Sequence, residues 1–210
     1  LCLGSGTGLN TPIFSILDAV LLKPFPYEQP DRIVVVSSSN EKADVTEGGM
    51  SNLDLVDLRS QARTLSRLAV TQGRSLTISD GEEPARYVGA AISWDLFPLI
   101  GVAPILGQGF TAEHDRPGGG GVVLLSHAVW TTRYHRDPTV IGRRILVNGA
   151  PAVVLGVMPE KFEFPEVQKL WIPIGPLIAK DTRNNRNLFT FARMAPGTTM
   201  DQVAAELKTL

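Results

Sequence analysis

The pattern of apolar and polar positions predicts short strands and short helices that alternate along the first half of the chain. Residues 32–39 form a β-branched run bounded by turn residues, which predicts a strand. Ser51 begins a segment with apolar residues at helical spacing. Residues 68–79 predict a strand pair or one bent strand, 86–93 a returning strand, and 94–100 a short helix. This β-α-β-β-α order is that of a split βαβ layer.

The second half of the chain predicts mostly strands. The segment 117–121 (PGGGG) predicts a flexible linker or loop tip, because its glycines carry no side chains that would order it. Ser126 is placed to cap a short helix. Residues 145–157 form the clearest hairpin in the sequence, since Asn148-Gly149 suits a type I′ turn.

The C-terminal part of the sequence predicts two more strands and a closing helix. The strands are expected at 170–174 and 188–194. Between them, residues 175–187 are rich in charged and amide side chains, which predicts a solvated or mobile segment. Thr199 and Gln202 have the spacing of a capping box, which indicates where the closing helix begins.

Residues 1–22 are the most apolar stretch of the chain, and Asp18 is their only charge. They fit two structures equally well. One is a buried helix over 12–22 with Pro12 at its first position, and the other is the outer end of a membrane-spanning helix. The first residue is Leu1 rather than methionine, so we expect the chain to be a segment of a longer protein.

Composition and charge exclude several classes of protein. Glycine and proline account for 20 and 15 of the 210 residues, which predicts many turns and excludes a coiled coil or a simple helical bundle. A formal net charge of −1 argues against a nucleic-acid-binding protein, whose surface would be basic. Cys2 is the single cysteine, so no internal disulfide can form. The mean hydropathy of +0.07 is high for a soluble domain.

No residue pattern predicts catalysis, cofactor binding or a metal site. The glycine-rich segment 4–8 lacks both a preceding strand and the G-x-G-x-x-G spacing of a dinucleotide loop. His114, His127 and His135 are too far apart in sequence for a zinc motif. Ser126 precedes His127 directly, and neighbours on a helix point about 100° apart, so this pair predicts a helix cap rather than a nucleophile with its base.

Three further groups have a structural and a functional interpretation. Glu82-Glu83 is expected to be solvated charge in a hairpin turn. A basic cluster is expected either on a solvated helix face or in contact with lipid phosphates or a partner; it comprises Arg133, Arg136, Arg143 and Arg144. An apolar group is expected in the core rather than in a binding site; it comprises Trp94, Phe97, Leu99 and Ile100.

The order of short motifs along the chain resembles MacB-like permease subunits of ABC transporters, most of all the large permeases that carry two such halves in one chain. Each motif is weak alone, but their joint order is specific and covers nearly the whole sequence. The chain departs from the family at Pro12, where a small helix former is usual, and at 50–54, which lacks an expected aromatic residue. The matching pieces are residues 10–15, 18–27, 30–32, 97–104, 106–110, 123–127, 130, 137–138, 140–143, 147–149, 156–159, 162, 170–173 and 192–197.

The resemblance implies an α+β fold, in which a porter-like split βαβ layer carries an inserted, mostly β subdomain. Residues 1–27 would be the outer end of the first transmembrane helix and a proline linker. Residues 28–105 together with 188–210 would form the porter-like α/β subdomain, and 106–187 the inserted β-rich subdomain. The glycines at 118–121 would be a hinge or a loop tip.

The resemblance also implies a non-catalytic periplasmic domain of an ABC-type permease in the inner membrane, acting in export or mechanotransmission. The expected partners are a cytoplasmic ATPase subunit and a periplasmic adaptor or a second permease copy. The full-length form would lie in the membrane, with no nucleic acid and no cofactor involved. Two alternatives stay open: a periplasmic binding module for a lipid, peptide or adaptor protein, and a stand-alone hydrolase that would gather Ser126, a histidine and a carboxylate.

Overall fold

The computed structural model describes residues 13–18, 27–40, 45–162 and 164–210. Within them, eleven strands and five α-helices alternate along the chain, with 3-10 helices at Pro30–Arg32 and Pro138–Val140. The strands are β1 (Ile13–Asp18), β2 (Ile33–Asn40), β3 (Val45–Gly48), β4 (Leu65–Ser79), β5 (Ala85–Ile92), β6 (Leu106–Gly107), β7 (Val122–Leu125), β8 (Arg144–Val147), β9 (Ala150–Val157), β10 (Leu170–Pro173) and β11 (Phe189–Met194). The helices are α1 (Asn52–Gln61), α2 (Leu96–Ile100), α3 (His127–Arg133), α4 (Gly175–Ile178) and α5 (Met200–Leu207).

The first part of the sheet is a split βαβ layer, as the sequence predicts. Strand β11 pairs antiparallel with β2 on one side and with β4 on the other, so that Phe191 lies opposite both Val35 and Ala69. Strands β2 and β4 therefore run parallel to each other, with α1 connecting them and β11 between them. We call these three strands with α1, α2 and α5 the layer.

The second part of the sheet closes on itself. Strand β4 pairs with β5, β5 with β10, β10 with β7, β7 with β9, β9 with β8, and β8 again with β4. We call these six strands the ring. The first half of β4 pairs with β11 in the layer, whereas its last residues, Ile78 and Ser79, pair with β8 in the ring. One continuous strand thus belongs to both parts of the molecule.

The core consists of three groups of buried side chains. Within the layer, one face of the strands packs against α1 and α5, and the other face packs against α2 and an aromatic cluster that includes Phe164 and Trp171. The third group lies among the strands of the ring, where Leu76 and Ile78 of β4 meet side chains from β7, β8 and β9. Both faces of the strands of the layer are therefore covered by other elements.

Local signals for caps and turns are confirmed. Ser51 and Thr199 form capping boxes at the starts of α1 and α5, and the Ser126 hydroxyl accepts a hydrogen bond from the Val129 N–H at the start of α3. Asn148 and Gly149 both have positive φ, at 51° and 80°, as a type I′ turn requires.

The prediction of a helix or membrane-helix end over residues 12–22 is wrong where the structure describes it. Residues 13–18 form strand β1, which pairs antiparallel with β2 from Ile13 opposite Ser39 to Asp18 opposite Val34. A short apolar run does not distinguish a strand from a helix by periodicity, and here pairing with β2 decides. The remaining residues of 1–22 lie outside the described part of the chain.

Because β4 joins the two parts, the layer and the ring should unfold together. Leu76 on β4 is 1% exposed, so Leu76→Ala should lower the free energy of unfolding by about 2–5 kcal/mol. Urea unfolding followed by tryptophan fluorescence and by far-UV circular dichroism should give one shared transition, displaced to lower urea. Val88→Ala on β5, where Val88 is 61% exposed, is the control and should change stability by less than about 0.5 kcal/mol. Two separate transitions would contradict the shared-strand argument.

Candidate functional site

A cleft of about 260 Å³ opens between the layer on one side and the loop around Asp115 with helix α4 on the other. Its walls come from α1, β4, the end of β5, the loop around Asp115, and α4. Most of the lining side chains are apolar, and the charged ones are Arg59 and Asp115. The lining residues are Asn52, Leu55, Arg59, Val70, Ser93, Asp115, Pro117, Ile174, Gly175, Ile178 and Ala179.

One side of the cleft is held by a small polar network. The Arg59 guanidinium donates through Nη2 to the Leu68 carbonyl oxygen at 2.9 Å and lies 3.3 Å from Asp95 Oδ2. The Ser93 hydroxyl donates to Asp95 Oδ1 at 2.6 Å and accepts from the Val70 N–H at 2.9 Å. The positive charge of Arg59 is therefore already paired with a carboxylate of the protein.

Asp115 fixes the opposite wall of the cleft. Its Oδ1 accepts a hydrogen bond from the Gly175 N–H at 2.6 Å, and its Oδ2 accepts one from the Trp94 N–H at 3.2 Å. Burial raises the pKa of this carboxyl above its ordinary value, and the two backbone hydrogen bonds oppose that shift only in part. Within the described part of the chain, no lysine, arginine or histidine forms an ion pair with Asp115.

The segment 175–187 is largely solvent-exposed, as predicted, and two of its arginines also attach it to α1. Its Arg183 and Arg186 reach the fully buried carboxylate of Asp54 at 2.7 and 3.4 Å, and Arg183 also contacts Asp57 at 2.9 Å. Asp54 in turn accepts the Ser51 N–H at the start of α1. A run of polar residues does not reveal a buried carboxylate that lies more than a hundred positions away in the sequence.

The basic cluster is divided between the interior and the surface. Arg133 forms a two-pronged pair with Asp80, at 3.2 Å through Nε and 2.5 Å through Nη2, and its side chain is only 7% exposed. The Tyr134 hydroxyl donates to the same carboxylate at 2.7 Å, and the Arg143 guanidinium lies 5.4 Å from the centre of the Tyr134 ring. For Arg133 both predictions, a solvated helix face and a lipid or partner contact, are therefore wrong.

The remaining basic residues and the acidic turn lie at the surface. Arg136, Arg143 and Arg144 are exposed. Glu82 and Glu83 are exposed in the turn between β4 and β5, as predicted, although the Glu83 carbonyl oxygen accepts a hydrogen bond from Arg133 at 3.1 Å.

The apolar group around α2 is core, with one exception. Phe97, Leu99 and Ile100 are at most 3% exposed and belong to the aromatic face of the layer. Trp94 is 36% exposed, and its backbone N–H binds Asp115 beside the cleft. The sequence does not separate Trp94 from its neighbours, because what distinguishes it is a contact with a residue from another part of the chain.

The histidines and Ser126 are not brought into one site. His114 accepts the Thr111 N–H within its own turn, and His127 packs against Trp130 with ring centres 5.7 Å apart. Ser126 is 4% exposed, and its hydroxyl caps α3. Among the described residues, no three His, Cys, Asp or Glu side chains are placed to hold a metal ion. Cys2 and the glycine-rich segment 4–8 lie outside the described part.

The α+β fold with its mixed sheet is similar to solved domains of bacterial permeases and transporters. The periplasmic region of MacB from Actinobacillus actinomycetemcomitans is 14% identical with a TM-score of 0.65, covering 84% of this chain and 80% of that chain. A domain of a putative permease protein from Porphyromonas gingivalis is 13% identical with a TM-score of 0.63, covering 84% and 81%. The extracellular domain of the noncanonic ABC-type transporter YknZ from Gram-positive bacteria is 15% identical with a TM-score of 0.58, covering 75% and 78%.

At 13–15% identity, the solved structures show only that the fold is shared. The family of the chain is assigned by comparing its sequence with family profiles. The profile of the MacB-like periplasmic core domain matches residues 1–210. The chain therefore belongs to the family of MacB-like periplasmic core domains, as its ordered motifs indicate. None of the curated proteins compared with the chain matches it. No helix in the described ranges is both long enough and apolar enough to cross a membrane.

The buried pair of Asp80 and Arg133 should make stability depend on pH. Burial acts to raise the pKa of Asp80, but hydrogen bonds from Arg133 and Tyr134 outweigh it, so the folded-state pKa lies below the ordinary value. The free energy of unfolding that the pair contributes is therefore fully present above about pH 3.9, the ordinary pKa of an aspartate in the unfolded chain. It is lost as the pH falls through the lower pKa of Asp80 in the folded state.

Asp80→Asn removes one partner of this pair and should cost about 3–5 kcal/mol at pH 7, because it leaves the guanidinium buried without its counter-charge. Urea unfolding from pH 7 down to pH 3 should show the gap between Asp80→Asn and the unmodified chain narrowing at the acidic end. Glu82→Gln, at an exposed position in the same turn, should change stability by less than about 0.5 kcal/mol at pH 7. A gap for Asp80→Asn that does not change with pH would contradict the electrostatic explanation.

Gly175 lies directly against the backbone of Asp115 in the wall of the cleft, and a Cβ atom there would collide with the Asp115 carbonyl oxygen. Gly175→Ala should therefore lower the free energy of unfolding by about 1–3 kcal/mol in urea titrations. Gly73→Ala is the matched control, since a Cβ at Gly73 meets nothing within 4 Å, and it should be neutral or slightly stabilising. Equal stability of the two variants would show that the loop yields without cost.

Proposed function

We propose that the chain is a non-catalytic extracytoplasmic domain of an ABC-type permease and that it acts in export or mechanotransmission. ATP hydrolysis would belong to a cytoplasmic ATPase subunit of the full-length transporter. The domain would move relative to a second permease copy or a periplasmic adaptor. The observation that carries this proposal is the match of the MacB-like periplasmic core domain over the whole chain.

The way the strands are joined supports a role in passing on movement. Strand β4 runs without a break from the layer into the ring, and β10 of the ring pairs with β5 beside it. The buried pair of Arg133 and Asp80 holds the end of β4 against α3. A domain built in this way should move as one body, because a displacement at one end is transmitted through continuous hydrogen-bonded strands.

We keep the two predicted subdomains, with the boundaries predicted from the sequence, as a proposal. Residues 28–105 with 188–210 contain the layer, and 106–187 contain the strands that complete the ring. Strands β4 and β5 of the first subdomain pair with β8 and β10 of the second, so any internal hinge would lie in the glycine segment 118–121 rather than between the subdomains. Gly118 and Gly121 have φ of 81° there, a conformation that suits glycine.

Spin labels in the full-length transporter test whether the domain moves as one body. Cysteines replacing Val56 on α1 and Leu146 on β8, both exposed, report the distance within one domain in a Cys2→Ser background. Leu146→Cys alone reports the distance between two permease copies. On ATP binding, the distance within the domain should stay constant while the distance between copies changes by several ångströms. A constant distance between copies in an actively transporting complex would refute mechanotransmission by this domain.

A calorimetric titration of the 210-residue chain with Mg-ATP tests the non-catalytic part of the proposal. We expect no heat of binding beyond dilution. Saturable binding in the micromolar range would refute a purely mechanical domain. The complete transporter, with its ATPase subunit, serves as the positive control in the same buffer.

The cleft favours a second candidate function, which is partner binding. It lies between α1 of the layer and the loop and helix that flank the ring strands, and it combines apolar walls with a half-buried carboxylate. Small concave sites with a few fixed polar groups are typical of binding surfaces. This function is compatible with force transmission, since a domain that moves a partner must also hold it.

A further inference from the structure

We propose that the cleft binds a single lysine or arginine side chain of a partner protein, with Asp115 as the acceptor of its charge. The proposal deepens the partner-binding candidate and does not depend on mechanotransmission. It follows from the volume of the cleft, the character of its walls, and the balance of charge around it.

The volume of the cleft favours a side chain over a larger ligand. At about 260 Å³, the cleft is smaller than the roughly 300–1,000 Å³ of sites that enclose drug-sized molecules. Pro117 and Ala179 line it with exposed apolar surface, above the nearly buried side chains of Leu55, Val70 and Ile178. Lysine and arginine carry aliphatic stems that pack along such surfaces while the charged head reaches a polar group.

The charges around the cleft favour a cation. Arg59 is paired with Asp95 at 3.3 Å, so its charge is balanced within the protein. Among the described residues, the Asp115 carboxylate accepts the N–H groups of Trp94 and Gly175, each of which uses one of its oxygens. Each carboxylate oxygen has capacity for a further hydrogen bond, so an incoming ammonium or guanidinium group would find an acceptor that no cation of the described residues occupies.

Exposed side chains next to residues of the cleft favour a protein as the source of the cation. Trp94, whose N–H binds Asp115, is 36% exposed, and Leu177, which precedes the lining residue Ile178 on α4, is 45% exposed. Exposed aromatic and aliphatic side chains near a polar contact can be covered by a partner protein and then exclude water from that contact.

Short peptides are the probes that test this inference. The chain, labelled with ¹⁵N, is titrated with acetylated and amidated pentapeptides Gly-Leu-X-Leu-Gly in which X is lysine, arginine, norleucine or glutamate. The lysine and arginine peptides should shift the amide signals of Trp94 and Gly175. They should bind about tenfold more tightly than the norleucine peptide, because a hydrogen bond to a charged group contributes more than packing of the stem alone.

Asp115→Asn should abolish this preference, so that lysine and norleucine peptides bind within about twofold of each other. Glu113→Gln is the matched control, because Glu113 lies in the same loop, carries the same charge and is exposed; it should leave the preference unchanged. Unchanged positions of most amide signals in Asp115→Asn establish that the variant is folded.

Several outcomes would overturn the inference. These are equal binding of the norleucine or glutamate peptide, shifts that map away from the cleft, a lysine preference that survives Asp115→Asn, or no binding by any peptide. Butylammonium binding as tightly as the lysine peptide would identify a site for small cations instead of a partner protein. None of these titrations involves the ATPase, so a failure here is distinct from a failure of the force-transmission proposal.

Discussion

The continuity of strand β4 is the constraint on which the rest of the structure depends. Its 15 residues pair with β11 at one end, with β5 over most of their length, and with β8 at the other end. Displacing this strand would open the ring and, at the same time, expose one edge of the layer. The two parts that the family resemblance treats as subdomains therefore share one hydrogen-bonded element, and their relative position is set by backbone geometry rather than by a contact between surfaces.

Carboxylates paired with arginines connect segments that are distant in the sequence. Asp80 binds Arg133 of α3, Asp95 binds Arg59 of α1, and Asp54 of α1 binds Arg183 of the loop after α4. Removing one partner of the buried Asp80–Arg133 pair is costly, whereas the Arg59 and Arg183 side chains are 40% and 47% exposed, so their pairs contribute less. Each loop is thereby tied to one position, even where its sequence is polar and has few apolar side chains to bury.

Local features of the fold could be predicted from the sequence, whereas features that depend on distant residues could not. The caps at Ser51, Ser126 and Thr199 and the Asn148-Gly149 turn rest on neighbouring residues, and all are confirmed. Both structures predicted for 12–22 were helical, and strand β1 over 13–18 contradicts them, because an apolar run of that length is ambiguous until its pairing partner is known. The ion pairs of Arg133 and Arg183 escaped prediction because their carboxylates lie 53 and 129 positions away.

The dependence on distant residues also explains why the sequence does not predict the cleft or the arrangement of charges around Asp115. Asp115 comes from a loop beside the glycine segment, and it meets the layer only because the ring brings α4 next to α1. Asp54, Asp80 and Asp95 each pair with an arginine, whereas Asp115 accepts hydrogen bonds from two backbone N–H groups. Among the described residues no cation forms an ion pair with Asp115, so this carboxylate keeps its capacity to attract one, and we propose that a partner's side chain supplies that charge.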